Sequence, residues 1–98
     1  MAYRLTRKAI EDIRAIFTEG AHQFGLDQAE KYHDGLERVF MLLSDNPELA
    51  RSRLELYPPV CVYPYGSHLI IYLVEENRDV LIVRVRHGHE YWMDQDLS

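Results

Sequence analysis

Two arginines near the carboxyl end of the sequence are the first residues whose type and spacing suggest chemistry. Arg84 and Arg86 lie two positions apart in a segment, Val80–His87, whose alternation predicts a β-strand. We expect both side chains on the strand face that the helices leave uncovered, where they form an exposed positive strip. A guanidinium group makes bidentate bonds to carboxylate or phosphate, so the strip predicts a protein partner or a target. The alternative is an ordinary solvated face of an antiparallel sheet.

Three histidines in the same half of the sequence, His68, His87 and His89, raise the question of a metal site. A zinc site needs three or four ligands that converge tetrahedrally. The single cysteine, Cys61, is not near them in sequence, and nothing indicates a fourth ligand. We therefore expect ordinary hydrogen-bonded histidines, with no metal and no cofactor.

The same histidines, together with Tyr91, also allow a nuclease interpretation. A histidine or the tyrosine would act as general base or acid, while Arg84 or Arg86 stabilised the phosphate. The composition argues against this, because 11 Lys and Arg stand against 16 Asp and Glu, for a net charge of −5. RNA phosphates call for a basic surface. We expect no catalytic residue and keep the nuclease as the alternative.

The end of the sequence holds Trp92 beside Tyr91 in polar surroundings. Trp92 either packs back on the fold or is exposed as a binding anchor, because Trp and Tyr dominate interface hot spots. Both interpretations stay open. We expect one domain over residues 1–98, with a flexible or partner-dependent tail over about 89–98. The sequence contains neither a signal-peptide pattern nor an apolar run that could span a membrane, so we expect the cytoplasm.

Two helices are predicted in the first half. The first follows a capping residue, Thr6, and stops at Gly25. Its apolar residues recur at spacings of three and four, which is one helical face: Ile10, Ile13, Phe17, Ala21 and Phe24. The second helix is predicted to begin at an Asp27–Glu30 capping box and to end before Pro47. The short turn predicts an antiparallel helical hairpin.

Strands dominate the rest of the predicted fold. A short edge strand precedes the first helix at 2–5, and no element is expected over 48–59. Three strands follow, with the first of them at an edge because it contains Pro64. The last strand places Ile82 with Arg84 and Arg86 on one face. The predicted fold is α+β, with the order β-α-α-β-β-β and a helical hairpin packed on one face of a small antiparallel sheet.

Three stretches in a fixed order cover almost the whole chain. They read YRLTRKAIEDIRAIF, QFGLDQAEKYHDGLERVFMLLSDNP and YGSHLIIYLVEENRDVLIVRVRHGHEYW. Together they resemble the opening strand and first helix, the second helix and the closing hairpin of the ParE/RelE superfamily of toxins. The resemblance is closer to ParE than to RelE. One departure is the sequence His89-Glu90-Tyr91 after the His-Gly pair, where the family commonly has Arg-Arg or Arg-Met-Asp.

The resemblance implies the toxin of a type II toxin–antitoxin system, which a ParD-type antitoxin neutralises and which inhibits DNA gyrase by binding. RelE relatives instead cut messenger RNA on the ribosome. The candidate residues for target binding are Arg84, Arg86, His87, His89, Tyr91 and Trp92. The candidates for antitoxin binding are Ile13, Phe17, Phe40, Tyr63, Tyr65, Tyr72 and Arg84. The alternatives are a RelE-like endonuclease, a ParE-like protein with a different target, and a module that has lost toxicity.

Overall fold

The structure is a computed structural model that describes residues 2–53 and 59–88. Its two helices are α1 (Arg7–Phe24) and α2 (Leu26–Asp45), followed by a short 3-10 helix at Pro47–Leu49. Its five strands are β1 (Tyr3–Leu5), β2 (Ser52–Arg53), β3 (Val60–Tyr65), β4 (His68–Val74) and β5 (Val80–His87). The predicted α+β class and element order are confirmed, with β2 as an addition.

The sheet is mixed rather than wholly antiparallel. Its strand order is β1-β5-β4-β3-β2, so the first and last major strands of the chain are neighbours. The strand β1 runs parallel to β5, with Tyr3 opposite Val80, whereas the other pairs are antiparallel. In the sequence, the helical hairpin lies between β1 and the remaining strands. Parallel neighbours need a long connection, and this one is long enough for β5 to lie parallel to β1.

One glycine forms the whole turn between the helices. Gly25 has a φ of +92°, a backbone angle that residues with a Cβ rarely adopt. It ends α1 and begins α2. The predicted Asp27 cap is therefore wrong, because Asp27 lies inside the first turn of α2. The predicted Thr6 cap is confirmed, since its hydroxyl accepts a hydrogen bond from Ala9 N–H at 3.0 Å.

The connection after α2 is more ordered than the sequence indicated. The buried hydroxyl of Tyr72 donates to the Pro47 carbonyl at 3.0 Å and accepts from Ala50 N–H at 3.2 Å. These two bonds fasten Pro47 of the 3-10 helix and Ala50, which follows that helix, to the central strand β4. No local pattern in 48–59 predicts this, because the partner is a side chain 22 to 25 residues away.

Both faces of the sheet carry apolar clusters. The helix-covered cluster is the larger and comprises Ala9, Ile13, Leu36, Phe40, Leu43, Cys61, Ile70, Tyr72, Val80, Ile82 and Val85. The opposite cluster comprises Val60, Ile71 and Val83, with Val62, Leu69, Leu73 and Leu81 packed around it. Two-sided burial explains why β4 is almost continuously apolar.

A register shift in β5 changes which side chains share a face. Ile71 is opposite Arg84, but its neighbour Tyr72 is opposite Ile82, so Val83 is an extra residue of the bulge type. As a result Ile82 and Val85 both belong to the helix-covered cluster, while Val83 belongs to the other. The predicted strict alternation, which put Ile82 opposite to Val85, is therefore wrong.

Candidate partner-binding surface

Arg84 is engaged by a carboxylate within the fold. Its Nε lies 2.8 Å from Asp12 Oδ2 and its Nη2 lies 3.0 Å from Asp12 Oδ1, which is a bidentate pair. Only 12% of the Arg84 side chain and 15% of the Asp12 side chain are exposed. The exposed positive strip is therefore not formed, because one of its two arginines is bound to α1.

The same carboxylate covers the open edge of β5. Beyond Leu5 the strand β1 no longer pairs with β5. The side chains of Thr6, which caps α1, and of Asp12 in α1 bond to the backbone of β5 instead. The Thr6 hydroxyl donates to the Val83 carbonyl at 2.7 Å, and Asp12 Oδ2 accepts from Val85 N–H at 3.0 Å. Backbone groups that would otherwise lack a partner are thus satisfied at the bulge.

The next two residues of β5 lie on opposite faces of the sheet. Arg86 is half-buried and is opposite Leu69. Leu69 packs on the apolar cluster of the sheet face that the helices do not cover. His87 is opposite His68, with ring centroids 5.4 Å apart, on the helix side. Two candidate target-binding residues that are adjacent in sequence are therefore separated by the sheet.

A pair of tyrosines joins α2 to the β3–β4 hairpin. The Tyr32 hydroxyl donates to the Tyr65 carbonyl, and the Tyr65 hydroxyl donates to the Tyr32 carbonyl, each at 3.1 Å. Two glycines make room for the pair. A Cβ on Gly35 would lie 2.0 Å from the Tyr65 hydroxyl, and one on Gly66 would lie 2.5 Å from the Tyr32 hydroxyl. We call this arrangement the tyrosine clamp.

The tyrosine clamp places a hydroxyl beside a histidine. Tyr32 Oη lies 2.6 Å from His68 Nδ1. Since the hydroxyl has one proton and donates it to the Tyr65 carbonyl, we assign the proton of this second contact to His68 Nδ1. Burial raises the pKa of Tyr32, and a hydrogen bond from the Ser67 backbone partly opposes this. The hydroxyl therefore stays neutral and is unsuited to act as a general base near pH 7.

A pocket of about 250 Å³ lies between the two helices and the adjoining ends of β4 and β5. It brings together Ile13 and Phe17, which were candidates for antitoxin binding, and His87, a candidate for target binding. Sequence reasoning did not group them, because α1 and β5 are far apart in the chain. It also missed Tyr32 as a member of this site, since a tyrosine in a helical stripe resembles any core residue.

Three of the antitoxin-binding candidates are buried in the core, and one of them, Ile13, is 8% exposed and also lines the pocket. Phe40 is 1% exposed and packs on Tyr3 at 5.5 Å between ring centroids, and Tyr72 is 0% exposed. Phe40 and Tyr72 can contact a partner only if the core repacks, and the antitoxin contacts stay predictions. Tyr63 and Tyr65 are half-buried at the edge of the main cluster. His89, Tyr91 and Trp92 lie outside the described residues, and their roles stay predictions.

The sequence family follows from a match over almost the whole chain. Residues 3–92 match the model of the ParE toxin of the type II toxin–antitoxin system, parDE. This chain belongs to the ParE toxin family. Among curated relatives, it is 29% identical over 85 residues to Toxin ParE1 of Caulobacter vibrioides, a match that covers 87% of this chain and 86% of that protein. Toxin ParE1 of Mycobacterium tuberculosis is also 29% identical, with 87% of each covered.

A solved structure has the same fold as this ParE-family chain. It is described as the chromosomal ParDE TA system from P. aeruginosa, and the two folds agree with a TM-score of 0.74 at 20% identity. The match covers 89% of this chain and 95% of that one. Among the described residues, no helix has the length and apolarity needed to cross a membrane.

Proposed function

We propose that this ParE-family toxin inhibits DNA gyrase by protein–protein binding in the cytoplasm and is neutralised by a ParD-type antitoxin. The match of residues 3–92 to the ParE toxin family is the observation that carries the proposal. The named relatives are ParE1 toxins, and the structure with the same fold comes from a ParDE system. Membership of the family supports a pair of toxin and antitoxin, and the choice of gyrase as target rests on the family resemblance.

The environment of Arg84 favours binding over catalysis. A ribonuclease needs a cation that stabilises the phosphate in the transition state, and Arg84 was one of the two candidates, with Arg86. The guanidinium of Arg84 is held in two hydrogen bonds by Asp12 and is nearly buried. The RelE-like endonuclease therefore stays the second candidate.

The half-buried aromatic residues support a surface for the antitoxin. Phe17 lines the pocket on the helix side, while Tyr63 lies on β3, next to the short edge strand β2. Partly exposed aromatic side chains on rigid elements are typical anchors of protein interfaces. We propose that the antitoxin contacts these residues, and that the target contacts Arg86 together with residues of the tail.

Expression of the chain in bacteria, alone and together with its antitoxin, tests the function directly. We expect growth arrest that the antitoxin relieves, and loss of gyrase supercoiling with accumulation of cleaved DNA when the purified protein is added. Arg86→Gln should weaken gyrase inhibition, and the matched change at an exposed helical position, Arg14→Gln, should not. Arrest with normal gyrase activity would contradict the proposed target.

The same experiment separates the alternatives. Cleavage of messenger RNA on translating ribosomes would establish the RelE-like activity in place of gyrase binding. Arrest with neither effect would indicate a different target, and normal growth without the antitoxin would indicate a copy that has lost toxicity.

A further inference from the structure

We propose that a cleft beside the edge strand β2 binds an acidic segment of the antitoxin through Arg51 and Arg53. The assignment rests on the proposed function, which gives Tyr63 to the antitoxin, and it adds the chemistry of the segment that binds there. The cleft measures about 640 Å³ and lies between residues 49–53 and the middle of β3. It shares no lining residue with the pocket between the helices.

The cleft opens because β2 pairs with β3 at only two positions, Ser52 and Arg53. Just before β2, Ala50 N–H donates to the Tyr72 hydroxyl at 3.2 Å, and Tyr72 belongs to the helix-covered cluster. This bond holds the chain on the helix side of the sheet at Ala50, while β3 continues past it. Because a buried side chain fixes this arrangement, the cleft is preorganised, and binding costs less conformational entropy there.

The cations of the cleft are Arg51 and Arg53, and both are exposed. Neither side chain forms an ion pair or a hydrogen bond with a residue that the structure describes. Acids of the fold do bind three other arginines, in the pairs Arg4–Glu75, Arg78–Glu48 and Arg84–Asp12. Although 16 acids stand against 11 bases in the chain, none of the described residues that line the cleft is acidic. The two guanidinium groups are therefore available to carboxylates of a partner.

The other walls of the cleft favour a polypeptide over a small anion. Leu49 is 49% exposed, Pro64 is exposed and Tyr63 is half-buried, so a partner finds apolar contacts beside the two charges. Pro64 has no N–H, which disfavours the addition of a full strand to β3 at this edge. Recognition therefore depends on side chains. The partner that fits is an extended acidic segment with at least one apolar residue.

Phosphate is the other group that a pair of arginines binds well. A strand of RNA calls for a basic surface along its length, whereas this chain has a net charge of −5. Among the described residues that line the cleft, Arg51 and Arg53 are the only cations. Two arginines beside apolar side chains match a short acidic peptide better than a polyanion, and RNA binding is an outcome that the test includes.

Affinity measurements with the purified antitoxin test the cleft. The double variant Arg51→Gln/Arg53→Gln should weaken binding by about tenfold at about 0.1 M salt, because it removes two ion pairs with the antitoxin. At about 1 M salt, where the Debye length is about 3 Å, the difference should shrink. The matched control is Arg7→Gln/Lys8→Gln, which removes the same charge from exposed positions at the start of α1, near β1 at the opposite edge of the sheet. It should leave the affinity unchanged.

Equal affinities of the two double variants would overturn the proposal, as would a loss that is the same at both salt concentrations. A second measurement needs no variant, because the affinity of the wild-type chain should itself fall as salt is added, and a salt-independent affinity would contradict the cleft. Binding of poly(U) RNA that the Arg51→Gln/Arg53→Gln variant loses would assign the cleft to nucleic acid instead. Failure of the antitoxin to bind the wild-type chain would contradict the proposed function as well, whereas tight binding to all three proteins would contradict the cleft alone.

Discussion

Tyr32 and Tyr65 each donate a hydrogen bond to the other's backbone carbonyl, at 3.1 Å in both directions. Their rings are tilted against each other with centroids 4.9 Å apart. The reciprocal bonds connect α2 with the end of β3, 33 residues away. They also help to position His68, which lines the pocket, because the Tyr32 hydroxyl contacts it.

Removal of one clamp hydroxyl should lower stability moderately. Tyr65→Phe loses the bond to the Tyr32 carbonyl and should reduce the free energy of unfolding by about 1 kcal/mol, measured by urea denaturation. Tyr63→Phe is the matched control on the same strand, since the Tyr63 hydroxyl makes no hydrogen bond to the residues that the structure describes. Equal effects of the two changes would argue against the clamp.

Two glycines on the helices should respond oppositely to the same substitution. Gly35→Ala puts a Cβ 2.0 Å from the Tyr65 hydroxyl, so it should destabilise the fold by displacing that side chain. Gly20→Ala meets only ordinary contact and should stabilise α1 by up to about 1 kcal/mol. Thermal unfolding measures both effects. The double variant Gly35→Ala/Tyr65→Phe should be more stable than Gly35→Ala alone, and a further loss would contradict the steric explanation.

Breaking the Asp12–Arg84 pair should be far more costly than breaking an exposed pair. Asp12→Ala leaves Arg84 nearly buried without its carboxylate and removes the acceptor for Val85 N–H. We expect a loss of about 2–4 kcal/mol, somewhat below the loss for fully buried pairs. The control is Arg78→Gln, which breaks the exposed pair with Glu48 and should cost less than about 1 kcal/mol.

Substitution of Arg84 affects stability as well as any contact that Arg84 makes with the target. Arg84→Ala should lower the unfolding free energy together with any toxicity, because it removes the same bidentate pair. A variant that kept wild-type stability while losing toxicity would indicate that Arg84 contacts the target after all. Urea denaturation beside the growth assay distinguishes these two outcomes.

Alkaline pH should unfold the protein partly through Tyr72. Burial raises the pKa of Tyr72 from its ordinary value of 10.0 to about 12. The folded state therefore holds the phenol proton more tightly than the unfolded state. The corresponding stability is fully present below pH 10 and is lost as the pH rises from 10 towards 12. Burial also raises the pKa values of Tyr3 and Tyr32, which act in the same direction.

The check is urea denaturation between pH 8 and about 11.5, a range chosen around the ordinary pKa of tyrosine. Wild-type stability should fall above pH 10, and Tyr72→Phe should fall less steeply although it is less stable at pH 8. An equal slope for both proteins would show that Tyr72 does not contribute to the alkaline transition.

Local patterns in the sequence sufficed for the two long helices, the main strands and the family. The helices are bounded as predicted by the Thr6 cap, the Gly25 stop and the Asn46–Pro47 end. The last strand occupies Val80–His87 in the prediction and in the structure. These features depend on residues within a few positions of one another, since caps, turns and proline act over one helical turn. The ordered motifs identified the family for the same reason, because they are contiguous in the chain.

Only the tertiary structure decided which side chains meet. Asp12 lies 72 residues from Arg84 in the sequence and binds it, so the expected strip is not exposed. The extra residue at Val83 leaves Ile82 in the helix-covered cluster, although Arg84 and Arg86 lie opposite Ile71 and Leu69 of the other face. A bulge of this kind has no separate sequence pattern here, and a shift by one residue moves every later side chain to the other face. The pocket depends likewise on α1, α2 and two strands packing together. Burial and long-range hydrogen bonding, which the chain acquires only on folding, therefore determined the site.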